Sequence, residues 1–184
     1  MSPASKLKES AILEAAWRIA SAHRHGLSQI RLLKILWLAE LHHYEATGER
    51  LTPAGWWRWD YGPYSKDVIN AVRKDTRHFK VSKDEEATTV GRLAILARPR
   101  PGPNTLSEAA LQVLDDAIDM YSSYNTVEIL AEVYSDPFFE NTAYGEDFDF
   151  ADLVACRKQV PQARAQHLLG LSTSPVESIE ALFG

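Results

Sequence analysis

At 184 residues, with 45% hydrophobic and 24% charged positions, the chain is long enough to bury a core without help from disulfides or metals. Its one cysteine, Cys156, excludes an intramolecular disulfide and fits a reducing cytoplasm, and no apolar run is long enough to span a membrane. A formal net charge of −5 argues against non-specific nucleic-acid binding as the main activity.

The opening MSPASKLKES lacks the apolar centre of a signal peptide. A first helix is expected from about Lys6 to His23, where Ile12, Ala15, Ala16, Ile19 and Ala20 repeat at helical spacing, with Gly26 closing it. Ser28 then caps a second helix, QIRLLKILWLAELHHYEAT, which Gly48 ends. On a helical wheel Arg31, Lys34, His42 and Glu45 share one stripe, interrupted by Leu38, and nearly everything else is apolar. A helix greasy over most of its circumference is buried on several sides, so this is the expected central helix. Glu40 falls among the apolar positions, where a carboxylate has to be paired or hydrogen-bonded.

The next stretch, GERLTPAGWWRWDYGPYSKDV, is broken by Pro53, Gly55, Gly62 and Pro63. Trp57, Trp59 and Tyr61 alternate, which predicts a short extended segment with an aromatic face, and Tyr61-Gly62-Pro63 reads as a turn. Ser65 caps a helix KDVINAVRKD with Val68, Ile69 and Val72 inward. From about 78 to 99 the period becomes two, with Phe79/Val81 and Leu93/Ile95 alternating around a charged centre, and a β-hairpin is expected. RPRPGPN is a loop. Ser107 caps a helix with Leu111, Leu114, Ile118 and Tyr121 inside. After a break at Tyr124-Asn125, Val127, Leu130, Ala131 and Tyr134 repeat the helical pattern, and Asp136-Pro137 starts the short helix PFFEN. The acidic, aromatic AYGEDFDFAD then leads to expected short helices at 151–159 and 161–169 and a capped last helix, VESIEALF. The expected fold is mainly α: a compact helical domain over 1–143 with a small hairpin, and a helical C-terminal extension over 144–184.

Trp56, Trp57, Trp59, Tyr61 and Tyr64 are either a binding patch, since Trp and Tyr give large contact area at low entropic cost, or a small core that pins the loop to the central helix. Glu40 is read as structural, tied to donors of the Trp56–Pro63 segment or to Arg58, because no second acid stands at catalytic spacing. The adjacent His42 and His43 point about 100° apart and do not share one metal ion. His23 and His25 read as solvated residues at a helix end, and Cys156 as a small buried hydrophobe. No cofactor motif appears, and no enzyme is expected. A helix followed by a hairpin with Lys80, Lys83, Arg92 and Arg98 has a winged-helix layout, although Asp84, Glu85 and Glu86 at its tip would oppose phosphates.

The segment RLLKILWLAELHHYEATGERLTPAGWWRWDYGPYSKDVINAVRK resembles the Panacea, or SocA-like, antitoxin domain. The resemblance rests on Trp37-Leu38-Ala39-Glu40, Gly48, Trp59 and Tyr61-Gly62-Pro63, followed by LSEAALQVLDDAIDMYSSYNTVEILAEVYSDPFFEN, and it covers roughly positions 27 to 142. The chain departs from the family at Tyr64, where a small aliphatic residue is usual, at Tyr134, often His, and at Phe138, often Trp. The resemblance implies an antitoxin that neutralises a co-encoded toxin, by direct binding or by delivering it to a protease. It makes Glu40, Gly62 and Pro63 structural motif residues and the Trp/Tyr cluster the expected toxin-binding surface. The expected partners are a toxin, a protease in the adaptor case and a second copy of the chain, with DNA ranked below them and no membrane.

Overall fold

In the computed structural model residues 3–83, 93–99 and 104–156 are described. Before residue 148 the described residues form six helices, α1 (Pro3–Ser21), α2 (Gln29–Thr47), α3 (Lys66–Lys74), α4 (Glu108–Tyr121), α5 (Thr126–Tyr134) and α6 (Pro137–Asn141), interspersed with five short strands. The strands are β1 (Leu27–Ser28), β2 (Trp57–Trp59), β3 (Gly62–Tyr64), β4 (Phe79–Lys83) and β5 (Leu93–Ala97). The fold is therefore mainly α, with two small antiparallel sheets rather than a single hairpin. One has the order β1-β5-β4 and the other pairs β2 with β3.

The chain divides into two compact units, 1–148 and 149–184. In the second, residues 151–156 are helical. The expected helices at 161–169 and VESIEALF lie outside the described residues, as does the acidic tip at Asp84, Glu85 and Glu86.

Local chemistry sets the helix ends. Ser28, Ser65 and Ser107 each accept a bond from the backbone N–H three residues on, and Asn125 with Glu128 forms a capping box. Asp136 accepts from Phe138 N ahead of the first-turn Pro137. Gly48 stops α2 in the left-handed conformation, φ 74°.

Helix α2 is the spine of the first unit. Its residues from Leu32 to Leu41 are all buried, and it packs on α1, α4, α5 and β3. Lys34, placed by the wheel on the polar stripe, is among them, because β3 covers it. The α1 stripe from Ile12 to Ala20 is buried as expected. Glu14 is buried too, and its carboxylate accepts from Thr105 N, Leu106 N (2.8 Å) and the Thr105 hydroxyl (3.0 Å), fixing the entry to α4.

Helix α5 differs from expectation. Ile129 and Val133 face inward, while Val127 is 75% and Tyr134 38% exposed. Apolar residues cover this short helix everywhere except along the Glu128/Glu132 stripe, so periodicity does not choose which of them are buried. His23 is half-buried instead of solvated: its Nδ1 lies 2.7 Å from Ile19 O, and burial lowers its pKa. His25 is exposed and Cys156 is half-buried.

Candidate functional site

Three successive side chains on one ridge of α2 hold the segment that carries the tryptophans. Residues three apart on a helix are neighbours, so Lys34, Trp37 and Glu40 form a ladder. At the lower rung Lys34 Nζ donates to Pro63 O at 2.7 Å. The proline has no N–H to give its hairpin, but its carbonyl is free to accept the buried ammonium. Burial brings Lys34 down to a pKa of about 7.

At the middle rung Trp37, fully buried, meets three aromatics. Trp56 stands edge-on at 5.3 Å, Phe138 stacks at 5.9 Å and Phe148 tilts against it at 4.4 Å. Such pairs add about 0.5–1.5 kcal/mol each beyond their buried area. At the upper rung Glu40, also fully buried, accepts from Arg50 Nε, Leu51 N and Thr52 N, each at 3.1 Å, and from the Thr52 hydroxyl. Burial pushes its carboxyl above the usual range, and Arg50 and Thr52 oppose that shift.

The partners of Glu40 differ from those expected. The donors come from Arg50 to Thr52, upstream of the tryptophans, and Arg58 is engaged elsewhere. Arg58 Nη1 donates to the carbonyls of Phe139 and Glu140 at 3.1 Å and of Thr142, and its guanidinium lies 4.4 Å from the Phe139 ring centre. Its backbone binds Glu146 O (2.9 Å) and Gly145 N (2.8 Å), while Phe148 N donates to Trp56 O at 2.9 Å. Residues 145–148 therefore run beside β2 and belong to the first unit.

The hairpin pairs Trp57 with Tyr64, Arg58 with Pro63 and Trp59 with Gly62, so its turn is Asp60-Tyr61, one step earlier than Tyr61-Gly62-Pro63. No non-glycine residue has a positive φ among the described residues, and the left-handed step falls on Gly62, φ 84°. A Cβ there would lie 3.2 Å from Lys34 Nζ and 3.2 Å from Tyr134 Cε1.

This mounting divides the five expected aromatics. Trp56 is core, 2% exposed. Trp57 and Tyr64 are half-buried, with Lys66 Nζ 5.9 Å from the Trp57 ring centre. Trp59 and Tyr61 face outward, about half exposed at 49% and 50%. Two residues that sequence reasoning did not assign to the patch join them. Tyr144 stacks on Trp59 at 5.6 Å and donates its hydroxyl to Asp60 at 2.8 Å, a bond that raises its pKa. Tyr134, beside Gly62, stacks on Phe139 at 5.1 Å. From Tyr134 an apolar stripe continues along α5 through Ala131 and Leu130 to Val127, positions that share one helix face.

The arrangement offers exposed aromatic contact area. The buried carboxylate is saturated with donors and the buried amine is spent on a carbonyl. Among the described residues no group of His, Cys, Asp and Glu stands together as metal ligands. No helix among them is long and apolar enough to cross a membrane.

The family model described as "Antitoxin SocA-like, Panacea domain" matches residues 32–137, more than half of the chain. That span holds all three rungs, the hairpin and α5, and ends before Tyr144 and Phe148. No curated protein and no solved structure matches the chain.

Proposed function

The chain belongs to the SocA-like antitoxin family built on the Panacea domain, and we propose that it neutralises a co-encoded toxin in the cytoplasm by gripping it, without catalysis. The grip is assigned to Trp59, Tyr61, Tyr134 and Tyr144, extended by Val127 on α5. The single observation that carries this reading is exposure combined with rigidity. Trp59 and Tyr61 stand half in solvent on a hairpin tied to α2 at Pro63, Trp56 and Thr52. Exposed Trp and Tyr on a preorganised support are the residues that dominate protein interfaces, because little ordering entropy is lost on binding.

The test begins with the reading frame adjacent to this one. Expressed alone, its product is expected to arrest growth, and co-expression of this chain is expected to restore it. If the neighbour is harmless, or is not rescued, the antitoxin reading is wrong. Following the toxin's abundance during rescue separates two modes. A constant level supports stoichiometric holding, and a level that falls only when a cellular protease is present supports delivery to that protease.

A further inference from the structure

We infer that the first unit contains a winged helix whose α3 face takes duplex DNA, a second binding function carried by residues apart from the aromatic patch. The chain order α1-β1-α2-α3-β4-β5, with the β2–β3 hairpin inserted ahead of α3, feeds a sheet of order β1-β5-β4. Strand β1 pairs with β5 rather than with its sequence neighbours, Leu27 opposite Ile95 and Ser28 opposite Ala94. Helix α1 packs on α2, α3 and β5. Three helices closed by a three-stranded sheet, whose edge strand β4 and central strand β5 follow the third helix, make a winged helix. In helix-turn-helix modules the corresponding helix lies in the major groove.

The surface of α3 has the chemistry this placement needs. Val68, Ile69, Ala71 and Val72 are buried, which leaves Lys66, Asp67, Asn70, Arg73 and Lys74 on the open face, followed by exposed Arg77 and Lys80. Between positions 66 and 80 there are five basic residues against two acidic ones, in a chain whose net charge is −5, before the acidic run Asp84, Glu85 and Glu86 follows in the sequence. Both acids within that span are occupied by protein donors. Asp67 accepts from Gly55 N at 2.9 Å. Asp75 accepts from Arg77 N at 2.9 Å and His78 N at 3.2 Å and pairs with His78 Nδ1 at 2.6 Å. Lys74 is held by an exposed pair with Glu9 at 3.2 Å, a contact weak enough for a phosphate to replace. A concentration of cations on an otherwise acidic protein is the footprint of a polyanion partner, and Arg with Asn on a helix suits both phosphates and base edges.

The experiment is fluorescence anisotropy of the full chain with a labelled duplex of about 30 base pairs, roughly three helical turns, taken from upstream of its own reading frame. Binding is expected to weaken as salt rises from about 50 to about 200 mM, because phosphate contacts release counterions. The double substitution Arg73→Glu/Arg77→Glu is expected to weaken binding at least about tenfold and to flatten the salt dependence while preserving the melting temperature. Trp59→Ala/Tyr61→Ala is expected to bind the duplex as the unsubstituted chain does. Absence of binding at the lowest salt, or equal binding by the charge-reversed variant, overturns the inference. So does competition by polyglutamate as effective as by unlabelled duplex at equal charge, which would assign the face to an acidic protein.

Discussion

Lys34 and Glu40, less than two turns apart on α2, hold the two ends of one loop: the lysine binds Pro63 O at 2.7 Å and the glutamate binds Thr52 N at 3.1 Å. Opposite charges on one buried ridge thus do not pair with each other. Each is spent on backbone, the glutamate on N–H donors and the lysine on a carbonyl, and the loop between them is fixed in place. Trp37, midway, fills the space under it.

Removing the upper rung should unfasten the loop. Glu40→Ala leaves the buried Leu51 N and Thr52 N without their acceptor, and a loss of about 1–3 kcal/mol for each is expected, while Arg50, partly exposed, keeps its bond to Ala54 O. Glu40→Gln keeps the shape but turns donors toward donors, and should lose about 1–3 kcal/mol. Urea unfolding of the two variants measures both. A neutral Glu40→Ala would show that the donors find water.

The lower rung makes stability depend on pH. Unfolded, Lys34 titrates near its ordinary value of 10.5, and folded, burial brings it to about 7. Between these values the unfolded chain binds the extra proton, so this residue's contribution to stability rises as pH climbs from about 7 toward 10.5. Below about 7 both states are protonated and the whole cost of burying the charge remains. Relative to Lys34→Met, the unsubstituted chain should gain in urea midpoint between pH about 7 and about 9. Parallel curves would contradict the assignment.

Gly62 is required twice, by its φ of 84° and by the closeness of Lys34 and Tyr134. Gly62→Ala is expected to cost about 1–3 kcal/mol, the range for a non-glycine residue held in the left-handed region. Calorimetric melting measures the loss, and an unchanged melting temperature would mean that the hairpin re-forms around the side chain.

The helix ends were legible because their causes are local. Ser28, Ser65 and Ser107 announce caps within four residues, and Gly48 announces a stop. Glu40 was legible as a buried carboxylate because its neighbours on the wheel are apolar. Its donors, Arg50 to Thr52, were not, since a wheel says nothing about which loop folds back. Lys34 was misplaced for the same reason: what covers it is β3, nearly thirty residues later. Strand β1 escaped notice because two residues carry no period and their pairing with β5 is set by the fold. Val127, Leu130, Ala131 and Tyr134 repeat at helical spacing, but Ile129 and Val133 do so too, and it is these two that the fold buries. Tyr144 was missed because its stacking on Trp59 depends on residues 145–148 returning beside β2.

The aromatic face is best tested by titrating purified toxin, the product of the adjacent reading frame, into Trp59→Ala/Tyr61→Ala and into the unsubstituted chain. Both side chains are about half exposed, so the variant should stay folded, with circular dichroism and melting temperature close to the original. An affinity at least about a hundredfold weaker, or about 2.7 kcal/mol, is expected for removing two hot-spot aromatics. Unchanged affinity in a folded variant would place the toxin on another surface and contradict the account.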